Sequence, residues 1–183
     1  DLLTQHHLGE IVTRHTRGLA CFGAYVLDTD TDEIKTILAK FTIVAAGGCG
    51  NIYNTTTNPT VATGDGIAMC HRAKAITKNM QYIQFHPTTL YNPTERPAFL
   101  ITEAMRGYGA ILKLPNGKEF MHKYHPMGSL APRDVVARAI DTEMKRTGAD
   151  CVYLDIRHIS EDKLRLRFPH IFSKYGIVSK GQN

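Results

Sequence analysis

The sequence predicts an α+β fold, because three strand-like segments lie between residues 21 and 46 and helical periodicity appears twice later. The strand signals are a hairpin-like pattern over residues 21–39 and a β-branched run that ends in a glycine-rich turn. The helical signals follow Gly64 and Ser129. A chain of 183 residues is also long enough to bury a core of its own.

Three strands are predicted near the start of the chain. Residues 21–27 and 34–39 form a hairpin around an acidic, threonine-rich turn whose side chains hydrogen-bond their own backbone. Residues 41–46 are expected to form a buried strand that delivers the turn Gly-Gly-Cys-Gly, residues 47–50, at its carboxyl end. Ligands bind at such ends in open α/β sheets, and glycine amides approach phosphates closely. A plain tight turn is the equally good alternative.

Helical periodicity is predicted after Gly64-Asp65-Gly66, with Asp65 at or near the helix N-terminus, where a carboxylate commonly caps the first amides. Its apolar stripe consists of Met69, Ala73 and Ile76. Residues 82–85 then resemble a short strand that would carry Gln84 and His86 towards a cleft.

The clearest predicted helix spans residues 129–147, with apolar side chains every four residues. Pro132 is expected in the first turn and Gly148 as the stop. Arg133 falls in that first turn, where the helix dipole disfavours a cation and tends to lower its proton affinity, although arginine normally stays protonated. An arginine kept at so unfavourable a position suits a functional role.

One imidazole, one hydroxyl, one carboxylate and one guanidinium occur at irregular separations, each near glycine or proline. They belong to His86, Thr102, Glu103 and Arg133. Because the separations are too long for one helical turn, these groups can meet only where separate loops converge, which is the usual anatomy of a catalytic site. Taken singly, each is more often a capping or surface group. The combination indicates an enzyme that binds a small anion.

Composition excludes several other classes. The net charge of +5 is dispersed rather than clustered, which argues against a nucleic-acid partner and suits small anionic ligands. The chain has no apolar run of about eighteen residues and no apolar block typical of a signal peptide, so we expect a cytoplasmic protein without a membrane partner. The four cysteines, at positions 21, 49, 70 and 151, show no Cys-x-x-Cys spacing. They are expected to be buried, reduced thiols, and no metal site is predicted.

Several motifs together resemble the flavoprotein family of succinate dehydrogenase, fumarate reductase and L-aspartate oxidase. The first three are Thr-Thr-Asn-Pro at 56–59, Ala-Thr-Gly-Asp-Gly-Ile-Ala-Met at 62–69 and Gln-Phe-His-Pro-Thr at 84–88. Later segments, at 101–104, 130–134 and 148–155, are most similar to the L-aspartate oxidase members. The resemblance covers roughly residues 20–175 and is specific as a set. One departure is Tyr108, where the family commonly has glutamate.

The resemblance implies a domain organisation. Residues 1–60 would be the end of a Rossmann-like FAD-binding domain, and residues 61–183 an α/β capping domain of the fumarate reductase type, truncated at its C-terminal end. The Gly-x-Gly-x-x-Gly turn that opens this type of domain does not occur in the sequence. The chain is therefore expected to be an interior piece that binds FAD weakly and is inactive alone.

The resemblance also assigns residues to the cofactor and the substrate. FAD would contact Asp65, with helix capping as the alternative role of this carboxylate, and the backbone of Gly47 and Gly48. Arg133 matches the family's catalytic arginine, which exchanges a proton with the substrate, but physical chemistry favours an electrostatic clamp unless the site is unusually dry.

The remaining assignments concern a dicarboxylate substrate. His86 and Thr102 would donate hydrogen bonds to its carboxylates, with Arg133 near the reacting carbons. Glu103 is the candidate partner of a substrate ammonium group, although relatives without an amino substrate often carry glutamate there too. Gln84 could bind either the substrate or the flavin, and ranks below His86.

The implied reaction is the oxidation of L-aspartate to iminoaspartate with oxygen or fumarate as electron acceptor. It is the first step of NAD biosynthesis through quinolinate, so quinolinate synthase would act on the product. Three alternatives stay open: a succinate dehydrogenase or fumarate reductase flavoprotein, a non-catalytic nucleotide-binding module, and a structural or interaction domain.

Overall fold

The computed structural model describes residues 1–171, which divide into two compact units. The first unit is Asp1–Ile83, and the second begins at Gln84. The division into two units does not test the domain boundary predicted after residue 60, which remains a prediction. Residues 172–183 of the predicted capping domain lie outside the described residues. No helix in the described part is long and apolar enough to cross a membrane.

The first unit contains a three-stranded antiparallel sheet. Its strands, in the order β1-β2-β3, are β1 (Leu2–Thr4), β2 (Cys21–Asp28) and β3 (Glu33–Leu38). The predicted hairpin is confirmed, with Asp28 paired to Glu33 beside the turn. Gly23 of β2 has a φ of +139°, and a Cβ there would lie 1.9 Å from the carbonyl oxygen of Ile37, so only glycine fits.

The strand predicted at residues 41–46 is wrong. These residues have no regular structure, and Phe41 and Ile43 are 88% and 90% exposed. A strand is stable only when a neighbour satisfies its backbone groups, and none of residues 1–171 pairs with this segment. Residues 41–46 therefore have the β-branched composition of a strand but no hydrogen-bonded partner strand among the described residues.

The first helix, α1 (Asp65–Arg72), begins where predicted, because Gly64 at its N-cap takes a left-handed φ of +87°. The predicted stripe is too long, since the helix ends at Arg72 and Ile76 is 86% exposed. The start of the helix is tied to the glycine-rich turn, because the Gly64 amide donates to the carbonyl of Gly48 at 3.1 Å.

The second unit holds the remaining helices and a small sheet. In chain order its elements are α2 (Glu103–Gly107), β4 (Ile111–Lys113), α3 (Arg133–Thr147), β5 (Tyr153–Asp155) and α4 (Glu161–Arg167). Strands β4 and β5 pair antiparallel, with Leu112 opposite Leu154. The strand predicted at residues 82–85 is absent; the nearest pairing is an isolated bridge between Thr89 and Leu100.

Two apolar clusters form the core of the second unit. The first packs β4 and the turn after it against α3, through Leu112, Phe120 and Val136. The second packs α2 against α4 and the residues that follow it, through Met105, Leu164, Phe168 and Ile171. Both clusters are built from side chains that are less than 5% exposed. The second unit thus has a core that fixes α2 and α3, the two helices on which the candidate site depends.

Helix α3 begins four residues later than predicted. Residues 128–130 form a 3₁₀ turn, and Pro132 is the N-cap rather than a residue of the first turn. Proline favours extended backbone in the residue before it, and Ala131 has a ψ of 160°. Gly148 ends the helix with a φ of +69°, as predicted.

The four cysteines are free, as expected, but all four are half-buried rather than buried.

Candidate active site in the second unit

Glu103, the first residue of α2, links two arginines. The Nε of Arg133 donates to its Oε2 at 2.6 Å, and Arg133 Nη2 contacts the same oxygen. The Nη2 of Arg106 donates to Oε1 at 3.3 Å. Because Arg106 lies three residues after Glu103, these two share one helix face, whereas Arg133 comes from the start of α3. Two helix N-termini therefore meet at one carboxylate.

The two arginines differ in environment. Arg106 is 2% exposed, whereas the side chains of Arg133 and Glu103 are 46% and 42% exposed. Arg106 Nη1 donates to the carbonyl of Ser129 at 2.9 Å, and its Nε has no partner among the described residues. Burial lowers the pKa of Arg106, an effect that the Glu103 carboxylate opposes. Arg106 is thus a buried anchor and Arg133 the guanidinium that solvent and ligands can reach.

A tight turn before α3 presents Ser129 to the anchor. The Ser129 hydroxyl accepts a hydrogen bond from the Leu112 amide at 3.0 Å, which joins the turn to β4. Gly128 has a φ of +54°, and a Cβ there would lie 2.7 Å from Cε1 of His122. The turn therefore requires glycine at this position both for its backbone angle and for its contact with the imidazole.

His86 and Thr102 are also held in this unit. The Nδ1 of His86 lies 3.0 Å from the carbonyl oxygen and 3.3 Å from the amide nitrogen of Thr88. Thr88 is buried, and its hydroxyl donates to the carbonyl of Ile101 at 3.0 Å. Thr102 caps α2, because its Oγ1 accepts from the Ala104 amide at 3.3 Å. Thr88 therefore links the loop of His86 to the residue before Thr102.

The charges of this group act on one another. The pKa of His86 is lowered, first by burial and also by Arg133 and Arg106, so the neutral imidazole is favoured. The pKa of Glu103 is lowered, first by its hydrogen bond from Arg133. The pKa of Arg133 is raised by the same hydrogen bond, which reverses the direction expected from the helix dipole alone. The hydrogen bond between Glu103 and Arg133 therefore favours the charged form of both groups.

The other predicted site residues make no described contact with this group. Gln84 is exposed on a segment without regular structure, and no strand carries it. Gly47, Gly48 and Asp65 belong to the first unit. The second unit therefore contains the residues predicted to bind the substrate, and the first unit contains those predicted to contact FAD.

The residues predicted to contact the cofactor have surroundings that a flavin nucleotide could use. Gly47 and Gly48 are exposed, and a Cβ at either would meet no atom within 4 Å, so open space adjoins their backbone. Gly47 has a φ of +72°. Asp65 is the first residue of α1 and accepts a hydrogen bond from the Thr63 hydroxyl at 2.8 Å, without acting as a side-chain cap. Exposed glycine backbone beside a helix N-terminus suits an anionic group of FAD.

The sequence analysis did not identify Arg106 and Ser129 as site residues, and it did not foresee that Thr88 holds the loop of His86 in place. An arginine followed by glycine usually reads as a surface residue. The available signal was the spacing of three residues between Glu103 and Arg106, which places opposite charges on one helix face.

The chain matches the family model described as FAD binding domain over residues 1–178. It is 48% identical over 177 residues to an L-aspartate oxidase of Pseudomonas aeruginosa, covering 95% of this chain and 33% of that protein. It is 51% identical to L-aspartate oxidase 1 of Ralstonia nicotianae, covering 95% of this chain and 31% of that protein. A chloroplastic L-aspartate oxidase of Nicotiana tabacum is 46% identical, covering 91% of this chain and 27% of that protein.

Solved structures give the same family likeness. A quinol fumarate reductase of E. coli superposes with a TM-score of 0.67 at 29% identity, covering 98% of this chain and 32% of that one. Sdh1 of Mycobacterium smegmatis superposes with a TM-score of 0.54 at 37% identity, covering 72% of this chain and 22% of that one. The chain thus spans about a third of the length of the L-aspartate oxidases it matches. With nearly its whole length matched by one family model, the chain belongs to the FAD binding domain family of flavoproteins.

Proposed function

We propose that this chain is part of an FAD-dependent L-aspartate oxidase, which oxidises L-aspartate to iminoaspartate with oxygen or fumarate as electron acceptor. The observation that carries the proposal is the carboxylate of Glu103, held between two guanidiniums in a unit that also contains His86 and Thr102. The L-aspartate oxidases at 46–51% identity support the choice of substrate. When bound, FAD supplies the hydride acceptor.

The geometry supports Glu103 as the partner of the substrate ammonium group. Each carboxylate oxygen has two lone pairs, and Arg106 and Arg133 approach different oxygens. Lone pairs therefore stay available on a side chain that is 42% exposed. The lowered pKa of Glu103 keeps it ionised, so it can accept from a cation. A substrate without an amino group would leave this acceptor with its arginines only.

Arg133 is proposed to act as an electrostatic clamp. Its raised pKa makes it a poor proton acceptor, and its exposed guanidinium has donors left beside those used on Glu103. A substrate carboxylate can accept from these donors while Glu103 fixes their direction. The buried Arg106 supports the arrangement from behind, since it anchors Glu103 to the Ser129 carbonyl.

His86 and Thr102 are proposed to bind a substrate carboxylate. If the neutral His86 accepts the Thr88 amide at Nδ1, its Nε2–H is left to donate. If Nδ1 instead donates to the Thr88 carbonyl, Nε2 donates only as an imidazolium, which an arriving carboxylate favours by raising the pKa. Thr102 accepts from Ala104, so its own hydroxyl hydrogen is free to donate to the substrate.

In the first unit, Asp65 and the backbone of Gly47 and Gly48 are proposed to hold FAD. Gln84, the first residue of the second unit, is proposed as a weaker contact to either the substrate or the flavin. The assignment of residues 1–60 and 61–183 to two family domains is part of the same proposal. So are a cytoplasmic location, expected from the sequence pattern, and the use of iminoaspartate by quinolinate synthase, which the resemblance implies.

The test uses the whole protein and its Arg133→Leu variant, with FAD absorbance as the readout. Aspartate should bleach the flavin in the parent. The variant should lose about a hundred- to a thousandfold in rate while FAD stays bound, as removal of one preorganised electrostatic group does elsewhere. Arg138→Leu is the matched control, because Arg138 lies on the same helix, is 71% exposed and pairs only with Asp134 among the described residues. Its rate should stay unchanged.

A second substrate separates the proposal from its nearest alternative. The likeness to quinol fumarate reductase favours succinate or fumarate as the other candidate. Bleaching by succinate and not by aspartate would overturn the aspartate proposal and support that alternative. Bleaching by neither, with FAD bound, would indicate a non-catalytic flavoprotein.

A further inference from the structure

A cavity of about 480 Å³ opens beside the sheet formed by β4 and β5, and none of the residues assigned to the reaction lines it. Its polar lining comes from Lys113, Asn116, Tyr153, Asp155 and Arg157. The volume lies within the range of roughly 300–1,000 Å³ that small-molecule sites occupy. Neither the proposed reaction nor the predicted cofactor contacts use any of these side chains.

The single carboxylate of the cavity is fully engaged. Oδ2 of Asp155 accepts from Lys113 Nζ at 2.8 Å and from Arg157 Nη2 at 2.9 Å. Oδ1 accepts from Arg157 Nε at 2.9 Å and from the Arg157 amide at 3.1 Å. The side chain of Asp155 is only 8% exposed. A carboxylate offers about four lone-pair sites, so Asp155 has no capacity left to accept from a ligand.

The two cations, by contrast, have donors to spare. The ammonium of Lys113 uses one of its three N–H groups, and Nη1 of Arg157 donates to no group in residues 1–171. The side chains of Lys113 and Arg157 are 22% and 75% exposed. Asp155 holds both in a fixed relation, which lowers the entropy cost of binding a ligand between them. The cavity therefore offers charge-assisted donors and no free carboxylate.

We propose that this cavity, lined by Lys113, Asp155 and Arg157, is a binding site for a small polyanion that carries phosphate or carboxylate groups. Arg157 supplies planar donors suited to an oxyanion, and Lys113 supplies a compact second charge. Asp155 is the positioning residue, and it would touch no ligand atom. The site does not depend on the proposed reaction, because its residues belong to β4, β5 and the turn that follows β5.

The test is calorimetric titration of the whole protein with inorganic pyrophosphate and, separately, with citrate. We expect saturable binding of at least one of them at one site per chain. Lys113→Met and Arg157→Leu should each weaken it by roughly tenfold, the usual value of a charge-assisted contact. Lys118→Met is the matched control, since Lys118 is an exposed lysine of the neighbouring turn that does not line the cavity, and its affinity should be unchanged. Thermal melts of each variant verify that it is folded.

The outcomes are distinct. Binding of pyrophosphate or of citrate alone, with the variant pattern above, supports the site and identifies the oxyanion it prefers. Absence of saturable binding up to about 10 mM would overturn it, as would equal weakening by Lys118→Met, which would indicate general attraction to a basic protein. Loss of binding in Arg133→Leu would assign the ligand to the proposed reaction site instead. None of these results bears on whether aspartate reduces the flavin.

Discussion

The two compact units bury their apolar side chains to very different extents. In the first unit only Leu2, Leu3 and Ala62 are buried apolar residues, and Phe41 and Ile43 are almost fully exposed. In the second unit, two clusters join the three α-helices and two strands described there. The difference teaches that a strand-like composition and a closed core are separate properties. Two apolar clusters hold the described elements of the second unit together, whereas most large apolar side chains of the first unit are exposed.

The greater length of the relatives suggests a physical reason for the exposed apolar residues of the first unit. The matched L-aspartate oxidases are about three times as long as this chain, so a protein of that size has further segments that could pair with residues 41–46. Strand pairing and apolar burial would then be completed together, since each requires the neighbour that the other requires.

The largest expected effect comes from separating the units. Residues 84–183 expressed alone should unfold cooperatively on heating and show a near-UV circular dichroism signal, because both apolar clusters lie within them. Residues 1–83 alone should show neither. A cooperative transition in residues 1–83 would contradict the contrast between the units.

A smaller effect is expected from truncating one side chain in each unit. Leu112→Ala should cost about 2–5 kcal/mol of unfolding free energy, because Leu112 is 1% exposed in the first cluster. Ile43→Ala, the matched control, should change it by less than about 0.5 kcal/mol in the chain of 183 residues. Urea unfolding measures both. In a full-length relative of this chain the same Ile43 change should become costly if residues 41–46 form a strand there.

A third effect tests a buried charge of the second unit. Glu143 is 2% exposed, accepts from Tyr124 at 2.9 Å and pairs with Arg146. Glu143→Gln should cost about 1–2 kcal/mol, since its partners are partly exposed and can be rehydrated. Asp141→Asn on the same helix breaks only an exposed pair with Lys145 and should cost less than about 0.5 kcal/mol. Equal costs would mean that burial adds nothing to the Glu143 pair.

The smallest effect is a pH dependence from the same residue. The pKa of Glu143 is lowered below 4.5, first by its hydrogen bond from Arg146. Its stabilising contribution is therefore complete above about pH 4.5 and is lost as the pH falls through the lower, folded-state pKa. As the pH falls below about 4.5, the parent should lose more unfolding free energy than Glu143→Gln. Parallel losses in the two proteins would show that other carboxylates control acid unfolding.

The sequence predicted the elements whose signals are local. The β2–β3 hairpin follows from its turn residues, and the end of α3 follows from Gly148. The strands expected at residues 41–46 and 82–85 are absent, because pairing depends on a partner that local composition does not reveal.

The candidate site divides in the same way. Residue types and motif order were enough to select His86, Thr102, Glu103 and Arg133. The pairing of Glu103 with Arg133 and the burial of Arg106 depend on how α2 and α3 meet, which only the packed core determines. The same packing explains why the pKa of Arg133 is raised although the helix dipole acts in the opposite direction.

The turn at Gly128 has a consequence for mutational tolerance. Every side chain there would need a left-handed backbone and would meet the ring of His122, while the next residue supplies the carbonyl that anchors Arg106. In a saturation scan scored for enzyme turnover, Gly128 should therefore rank with the residues that contact substrate, although it touches none. Scored by such a scan alone, a glycine that only shapes a turn would be mistaken for part of the chemistry.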